Sequence, residues 1–391
     1  MERCRKNILI TVFALTILIW GSYALYSGAK MAPDSYSYAK WADVLIANNF
    51  NVVSYQKTMD SGPTSLLYIG FIGLVAMTKI IAGSFWPQLI AVINIILGTL
   101  LAVMLADLIY IFTKSKLSVW VTFILYAFNF EIMLWSRFAL SDISYMFLNF
   151  LIFYLIARAF LANNDHRARY WVVILFVFLA NIFYRPTAIV MIPVVLFAFY
   201  LYNRKKDMKW KIFFVFLSFF VVISMLIHAA VIKNMCSLPP GKSILGDFAV
   251  FLYQKGIVIH DRPHTYHHVP SALLDYFFIT TDKFIHYFYF LDQSFSLKHK
   301  VVNCMFFVPL YGLSVLGVIS AAREQNNSIK RSLVALSVIV IVSYSLFHSV
   351  TLIDFDWRYR LPILPYMLFI SGLGISLLAQ MKRRKEDAGK I

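Results

Sequence analysis

The chain has 391 residues, 60% of them hydrophobic and only 14% charged, which is too apolar for a water-soluble fold of this length. Its formal net charge is +17, from 36 Lys+Arg against 19 Asp+Glu. The basic residues fall in short runs between apolar stretches, as membrane topology requires, so nucleic acid is not the expected partner. Three cysteines without a CxxC spacing, and no GxGxxG or Walker sequence, exclude a zinc ribbon, a disulfide scaffold and nucleotide-cofactor chemistry of the soluble kind.

The apolar runs are continuous for about twenty residues rather than alternating, which selects helices over a barrel. We therefore expect an all-α polytopic membrane protein, one unit over 1–391. In chain order the runs are 7–28, 87–112, 117–135, 143–161, 170–184, 187–202, 212–232, 301–321, 332–350 and 361–380, which predicts ten spans. An eleventh run, 64–82, contains Gly70 and Gly73 and follows a Gly62-Pro63 break. It reads as a juxtamembrane helix lying along, or dipping into, the outer leaflet within the first outer loop.

Charge parity supports that reading. Arg3, Arg5 and Lys6 hold the N-terminus in the cytoplasm, and if 64–82 does not cross, the later basic loops lie on the same side: Lys114/Lys116, Arg167/Arg169, the 204–211 run, Arg323/Lys330/Arg331 and Lys382–Lys385. Both termini are then cytoplasmic. The first run is long and has no small-residue cleavage site, so an uncleaved anchor is expected. Two large segments, 29–86 and 233–300, face outward together with short turns at 136–142, 184–186 and 352–360.

The outer turns carry isolated charges flanked by apolar sequence, the costly arrangement that calls for partners. Arg137 and Asp142 share one turn, where they could simply pair with each other. Arg185 precedes Pro186, and the last turn reads Asp354-Phe355-Asp356-Trp357-Arg358-Tyr359-Arg360. Snorkelling anchors and an interfacial aromatic belt are the plain alternatives for these two. Several guanidinium groups at one depth suit an anionic headgroup, because each forks onto phosphate or carboxylate oxygens. In the first outer loop Asp34 follows Pro33 at the start of a short predicted helix. It is either an N-cap or a general base placed to take a proton from a hydroxyl. Asp43, nine residues on, is expected to be solvated.

Taken in order, Pro33-Asp34-Ser35, Ser136-Arg137-x-Ala139-Leu140-Ser141-Asp142, Tyr184-Arg185-Pro186-Thr187 and Asp356-x-Arg358-Tyr359-Arg360-Leu361-Pro362 resemble the membrane glycosyltransferases of the C-type superfamily. The nearest-looking branch holds the dolichyl-phosphate-mannose protein mannosyltransferases and the lipid A aminoarabinose transferases. The likeness covers about 30–190 and 350–375; 200–350 matches only in hydropathy. It implies that Asp34 is the catalytic base. It implies that Arg358 or Arg360 binds the donor phosphate, with Arg137 and Arg185 assisting and Asp142, Tyr359 and Asp356 in support. The implied reaction moves a sugar from a polyprenyl-phosphate donor to an acceptor hydroxyl, with inversion, at the outer face of a bacterial cytoplasmic membrane. The acceptor would be a lipid-linked glycan, a lipid or a protein. One departure is that Gly62-Pro63-Thr64 has a single proline where the family commonly pairs two; another is that only a short polar tail follows the last run.

The competing readings are a transporter or flippase for lipid-linked saccharides, and a non-catalytic assembly subunit. Against transport, nearly all the isolated charges sit at one edge, Asp107 being the main exception. No cofactor is called for. Asp354-x-Asp356 has the DxD spacing of metal-dependent sugar transfer, but metal is the lesser reading, and the imidazoles of 260–268 match no zinc-ligand spacing. That loop, with Tyr253, Tyr266, Tyr276, Tyr287 and Tyr289, is the candidate acceptor contact. Cys236 and Cys304 flank it and could pair in an oxidising compartment.

Overall fold

The computed structural model describes residues 2–58, 62–162, 164–203, 273–292, 295–324, 327–350 and 357–388. Among these residues the only β-type pairing is a single parallel bridge between Lys30 and Phe138. The chain is an all-α membrane protein. Its helices are α1 (Glu2–Ser27), α2 (Pro33–Ala47), α3 (Val52–Thr58), α4 (Ile69–Ala82), α5 (Trp86–Thr113), α6 (Lys116–Ala127) and α7 (Phe130–Ser136). They continue with α8 (Asp142–Leu161), α9 (Asn164–Tyr184), α10 (Ile192–Asn203), α11 (Leu273–Tyr287), α12 (Leu297–Arg323), α13 (Ser328–Val350) and α14 (Leu364–Ala388).

Among the described residues six helical stretches are long and apolar enough to cross a membrane, or seven when α6 and α7 count as one span bent by 56°. Ten were expected; local chemistry explains the difference over 117–135 and 170–202. Within 117–135 the Asn129 side chain accepts from the Ile132 N–H at 3.1 Å, opening a new helix where the sequence reads as one run. Between 170 and 202, Pro186 offers no N–H and forces Arg185 into extended backbone, φ −158° and ψ 132°. The two predicted spans there have only short apolar helical stretches, Ala168–Tyr184 and Pro186–Tyr202, on either side of that break. The predicted span 212–232 lies outside the described residues.

The predicted helix at 64–82 is α4, and it joins α5 through a 3₁₀ turn that starts at Gly83, whose φ of +55° favours glycine. α4 has 14 residues, and with its flanking turns it runs on into α5 as one apolar helical stretch, Ser65–Thr113. It packs with α2 in a second core, built on Tyr38, Ala42, Leu45, Phe71, Ile72 and Val75 together with Trp86 and Ile90 of α5 and Ala139 and Leu140. Asp43 is not simply solvated: its carboxylate meets Lys79 Nζ at 2.5 Å and ties α2 to α4.

Small residues set the closest helix approaches. Gly98 on α5 leaves room for the Trp20 ring of α1. Trp20 donates to the Ala127 carbonyl at 2.9 Å and stacks on Tyr126 at 5.3 Å. Between α12 and α14, Gly317 lies against the Ile370 backbone and Gly374 against that of Leu313. At one end of the bundle Asp107 of α5 is buried and gathers Arg5 at 2.5 Å, Tyr154 at 2.9 Å and Arg158 at 3.6 Å. That cluster joins α1, α5 and α8 and accounts for the intramembrane carboxylate that the sequence left without a partner.

Candidate functional site

At the opposite end of the bundle from Asp107, the first loop is pinned to the 137–141 turn. Lys30 N–H donates to the Arg137 carbonyl at 3.0 Å and Ala139 N–H to the Lys30 carbonyl at 2.9 Å. Asn94 of α5 holds the same turn from below, donating to the Phe138 carbonyl at 3.0 Å. These bonds fix where α2 begins. Ala32 is its N-cap and Pro33 stands at the first helical position, while Ser35 Oγ accepts from the Ala32 N–H at 3.0 Å. Asp34 is therefore in the first turn and not at the cap, which leaves its carboxylate available for other partners.

Asp34 Oδ2 meets Arg358 Nη2 at 2.8 Å. Both residues line a cavity of about 300 Å³, shared with Ser37, Tyr38, Trp41, Tyr68, Tyr145, Arg185, Thr187, Tyr344, His348, Tyr359 and Pro362. Arg358 lies over Trp135 at 5.9 Å and Tyr359 at 5.5 Å. Arg185 pairs with Asp142 at 2.6 Å and lies over the Tyr145 ring at 5.5 Å. Burial alone would lower the Arg185 pKa, but the Asp142 carboxylate outweighs it and holds the pKa well above its ordinary value, so the guanidinium stays charged. Burial also pushes the Tyr38 hydroxyl far above the usual tyrosine range, which makes it a neutral hydrogen-bonding group in the cavity wall.

The structure thus gathers Asp34, Arg185, Arg358 and Tyr359 around one cavity, with Asp142 behind Arg185. Two expected arginines are elsewhere. Arg360 is 1% exposed and forms a two-pronged ion pair with Glu131, Nε to Oε2 at 2.7 Å, and its guanidinium lies over Phe307 at 4.4 Å. It acts inside the protein, holding the last turn to α7. Arg137 does not pair with Asp142; it donates to the Ser27 carbonyl at 3.1 Å and lies over Tyr23 at 5.3 Å, outside the cavity lining. Asp354, Asp356, Cys236 and the imidazoles of 260–268 lie outside the described residues, so neither the DxD pair nor the Cys236–Cys304 pair is placed. Among the described residues no three His, Cys, Asp or Glu side chains cluster as metal ligands.

Sequence reasoning missed Glu131, Tyr145, Tyr344 and His348. Two of them carried a readable signal, since Glu131 is the only acidic residue in 117–135 and His348 the only histidine, with no Asp, Glu, Lys or Arg, in 332–350. An ionisable group inside an apolar run marks a site or a partner by default. The tyrosines carried none, because interfacial belts are rich in them. Beneath the cavity the Tyr145 and Tyr344 hydroxyls meet at 2.5 Å, Thr187 donates to Tyr145 at 3.0 Å, and Tyr344 donates to Asn149 Oδ1 at 3.1 Å.

Chemically, the cavity offers two guanidinium groups able to fork onto an anion, one carboxylate able to accept a proton, and a wall of aromatic rings and neutral hydroxyls. No protein-family model, curated protein or solved structure matches the chain.

Proposed function

We propose that this chain is a membrane glycosyltransferase that moves a sugar from a polyprenyl-phosphate donor to an acceptor hydroxyl. The observation that carries the reading is the Asp34–Arg358 pair, at 2.8 Å, on the wall of a cavity that also holds Arg185. A base and two phosphate-binding groups at one cavity are what direct displacement needs. Arg358 and Arg185 bind the phosphate of the donor. The acceptor oxygen attacks the anomeric carbon from the face opposite the phosphate, and its proton passes to Asp34. The carbon–oxygen bond to phosphate breaks with its electron pair leaving on the phosphate oxygen, which inverts the anomeric centre. The arginines stabilise the charge that gathers there. No cofactor takes part.

Orientation follows from the charge distribution. With Arg3, Arg5 and Lys6 at one end and Lys382–Lys385 in the tail, both termini are read as cytoplasmic and the cavity as facing outward. A bacterial cytoplasmic membrane is the setting this reading implies, and lipid-linked glycan, lipid or protein are its acceptor classes.

The test is Asp34→Asn in purified membranes. Sugar transfer falls by roughly 10²–10⁴-fold, the usual worth of a positioned general base, while donor binding persists. Transfer at the wild-type rate rejects Asp34 as base. Donor moved across vesicles by the wild type, with no transfer to any acceptor, supports a transporter in its place.

A further inference from the structure

His348 stands on α13, four residues after Tyr344 and therefore on the same helix face. Both line the cavity with Tyr145 and Thr187. The imidazole stacks on the Tyr359 ring at 4.8 Å with an interplanar angle of 13°, and on the Tyr287 ring at 5.6 Å and 23°. Tyr287 in turn donates its hydroxyl to the Tyr359 carbonyl at 2.8 Å, which fixes the stack. Rings against its faces leave the imidazole edge as its polar surface. His348 is 8% exposed, and its Nδ1 is buried with no hydrogen-bond partner among the described residues. A buried polar atom of this kind is costly unless something bonds it.

The neighbours of His348 in the lining define the chemistry of this end. Tyr145 and Tyr344 are 1% and 0% exposed, whereas the Asp34 side chain is 47% exposed. The deep end of the cavity thus has no carboxylate in its lining: it is walled by hydroxyls, with the Arg185 guanidinium over the Tyr145 ring, and the wetter side carries Asp34. The Thr187, Tyr145 and Tyr344 protons run inward in series to Asn149, which leaves hydroxyl oxygens that can accept from a sugar hydroxyl beside the imidazole edge.

We propose that His348 is a specificity-determining residue of this cavity: its imidazole edge, beside the Tyr145–Tyr344 hydroxyl pair, bonds a hydroxyl of the neutral sugar ring attached to the phosphate. This rests on the glycosyltransferase reading above. A site built to bond a hydroxyl rejects a ligand that lacks it far more strongly than an apolar wall rejects a mismatch.

The experiment measures binding by the purified full chain in detergent to three probes: a short-chain polyprenyl phosphate, and the same lipid carrying a hexose or a pentose. The wild type binds one glycosylated probe at least about tenfold more tightly than the bare lipid phosphate. His348→Phe, which keeps a ring in the stack, brings the two within about twofold while bare-lipid affinity stays unchanged; His348→Gln, which keeps a polar edge, retains most of the preference. Should the Phe variant fail to purify folded, His348→Met takes its place. Equal affinity of the wild type for all three probes overturns the proposal. So does a preference that survives His348→Phe, an equal loss in Phe and Gln variants, or a parallel loss of bare-lipid affinity. Failure of the underlying reading looks different: the bare lipid phosphate then does not bind, or binds Arg358→Ala as well as wild type.

Discussion

Asp34 Oδ2 and Arg358 Nη2 lie 2.8 Å apart, so an ion pair joins the first turn of α2 to the turn before α14. The two partners are not equivalent. The Asp34 side chain is 47% exposed and that of Arg358 only 12%, so the carboxylate can hydrate and move while the guanidinium stays among Trp135 and Tyr359. In the proposed reaction a donor phosphate at Arg358 would compete with Asp34 for the same fork and so release the carboxylate toward an acceptor.

The two cavity arginines therefore respond differently to truncation. Arg358→Ala strips a partner from a half-exposed carboxylate, so stability changes by no more than about 1 kcal/mol, while affinity for a short-chain polyprenyl phosphate drops. Arg358→Lys recovers little of that affinity, because an ammonium lacks the fork. Arg185→Ala takes from Asp142, 4% exposed, the guanidinium bonded to it, leaves only the more distant Arg358 to offset the buried charge, and costs about 3 kcal/mol. Denaturant unfolding in micelles, run beside lipid-phosphate titration, separates the two; equal destabilisation by both variants contradicts the assignment.

Glu131 and Arg360 make a buried pair whose members are 0% and 1% exposed. Glu131→Ala strands the guanidinium in the core and should destabilise by about 3–5 kcal/mol. Replacing both, Glu131→Leu with Arg360→Met, removes both desolvation costs and should restore most of the loss, since apolar replacements of buried pairs are often neutral. A thermal unfolding series on the single and double variants checks this. A double variant as unstable as Glu131→Ala shows that the pair does more than hold the last turn.

How much of this was legible beforehand depends on range. The helical class and the boundaries of α5 and α8 to within a residue follow from apolar run length, a local signal. The span count did not, because Asn129 and Pro186 break runs whose hydropathy is continuous. At the site, reading charges by their position along the chain brought Asp34, Arg185 and Arg358 onto one list, and they share one cavity. It could not sort Arg358 from Arg360, two residues apart in the same turn. Only the partner decides, and Glu131 lies far away in sequence on α7. Asp142 likewise takes Arg185 from another helix in place of Arg137 on its own turn.

The α12–α14 contact depends on two glycines with backbone directly opposite, Gly317 at Ile370 and Gly374 at Leu313. A side chain at either position meets backbone, which cannot swing aside as a flexible side chain does. Gly317→Leu or Gly374→Leu should therefore lower stability by at least about 1–3 kcal/mol, the usual cost of overpacking. Gly312→Ala on the same helix has open space around its Cβ and should be neutral or slightly stabilising through helix propensity. Unfolding midpoints of the three variants give the comparison, and a Gly317→Leu variant as stable as Gly312→Ala would remove the close approach.

Docking of the first loop on the 137–141 turn can be tested covalently. Lys30 and Phe138 form a parallel bridge, and bridged backbones lie about 4.7–4.9 Å apart, within the Cα separation of about 4.4–6.8 Å that a disulfide spans. In a background with Cys4, Cys236 and Cys304 replaced by serine, Lys30→Cys with Phe138→Cys should cross-link under mild oxidation, read as a linked peptide by mass spectrometry. The control pair Tyr36→Cys with Phe138→Cys, taken from the exposed side of α2, should remain as thiols. Because Asp34 follows Lys30 by one turn of chain, a locked bridge holds the carboxylate at the cavity and should leave sugar transfer intact. A Lys30/Phe138 pair that stays reduced while the control oxidises would mean the loop does not seat there, and Asp34 would then have no fixed relation to Arg358.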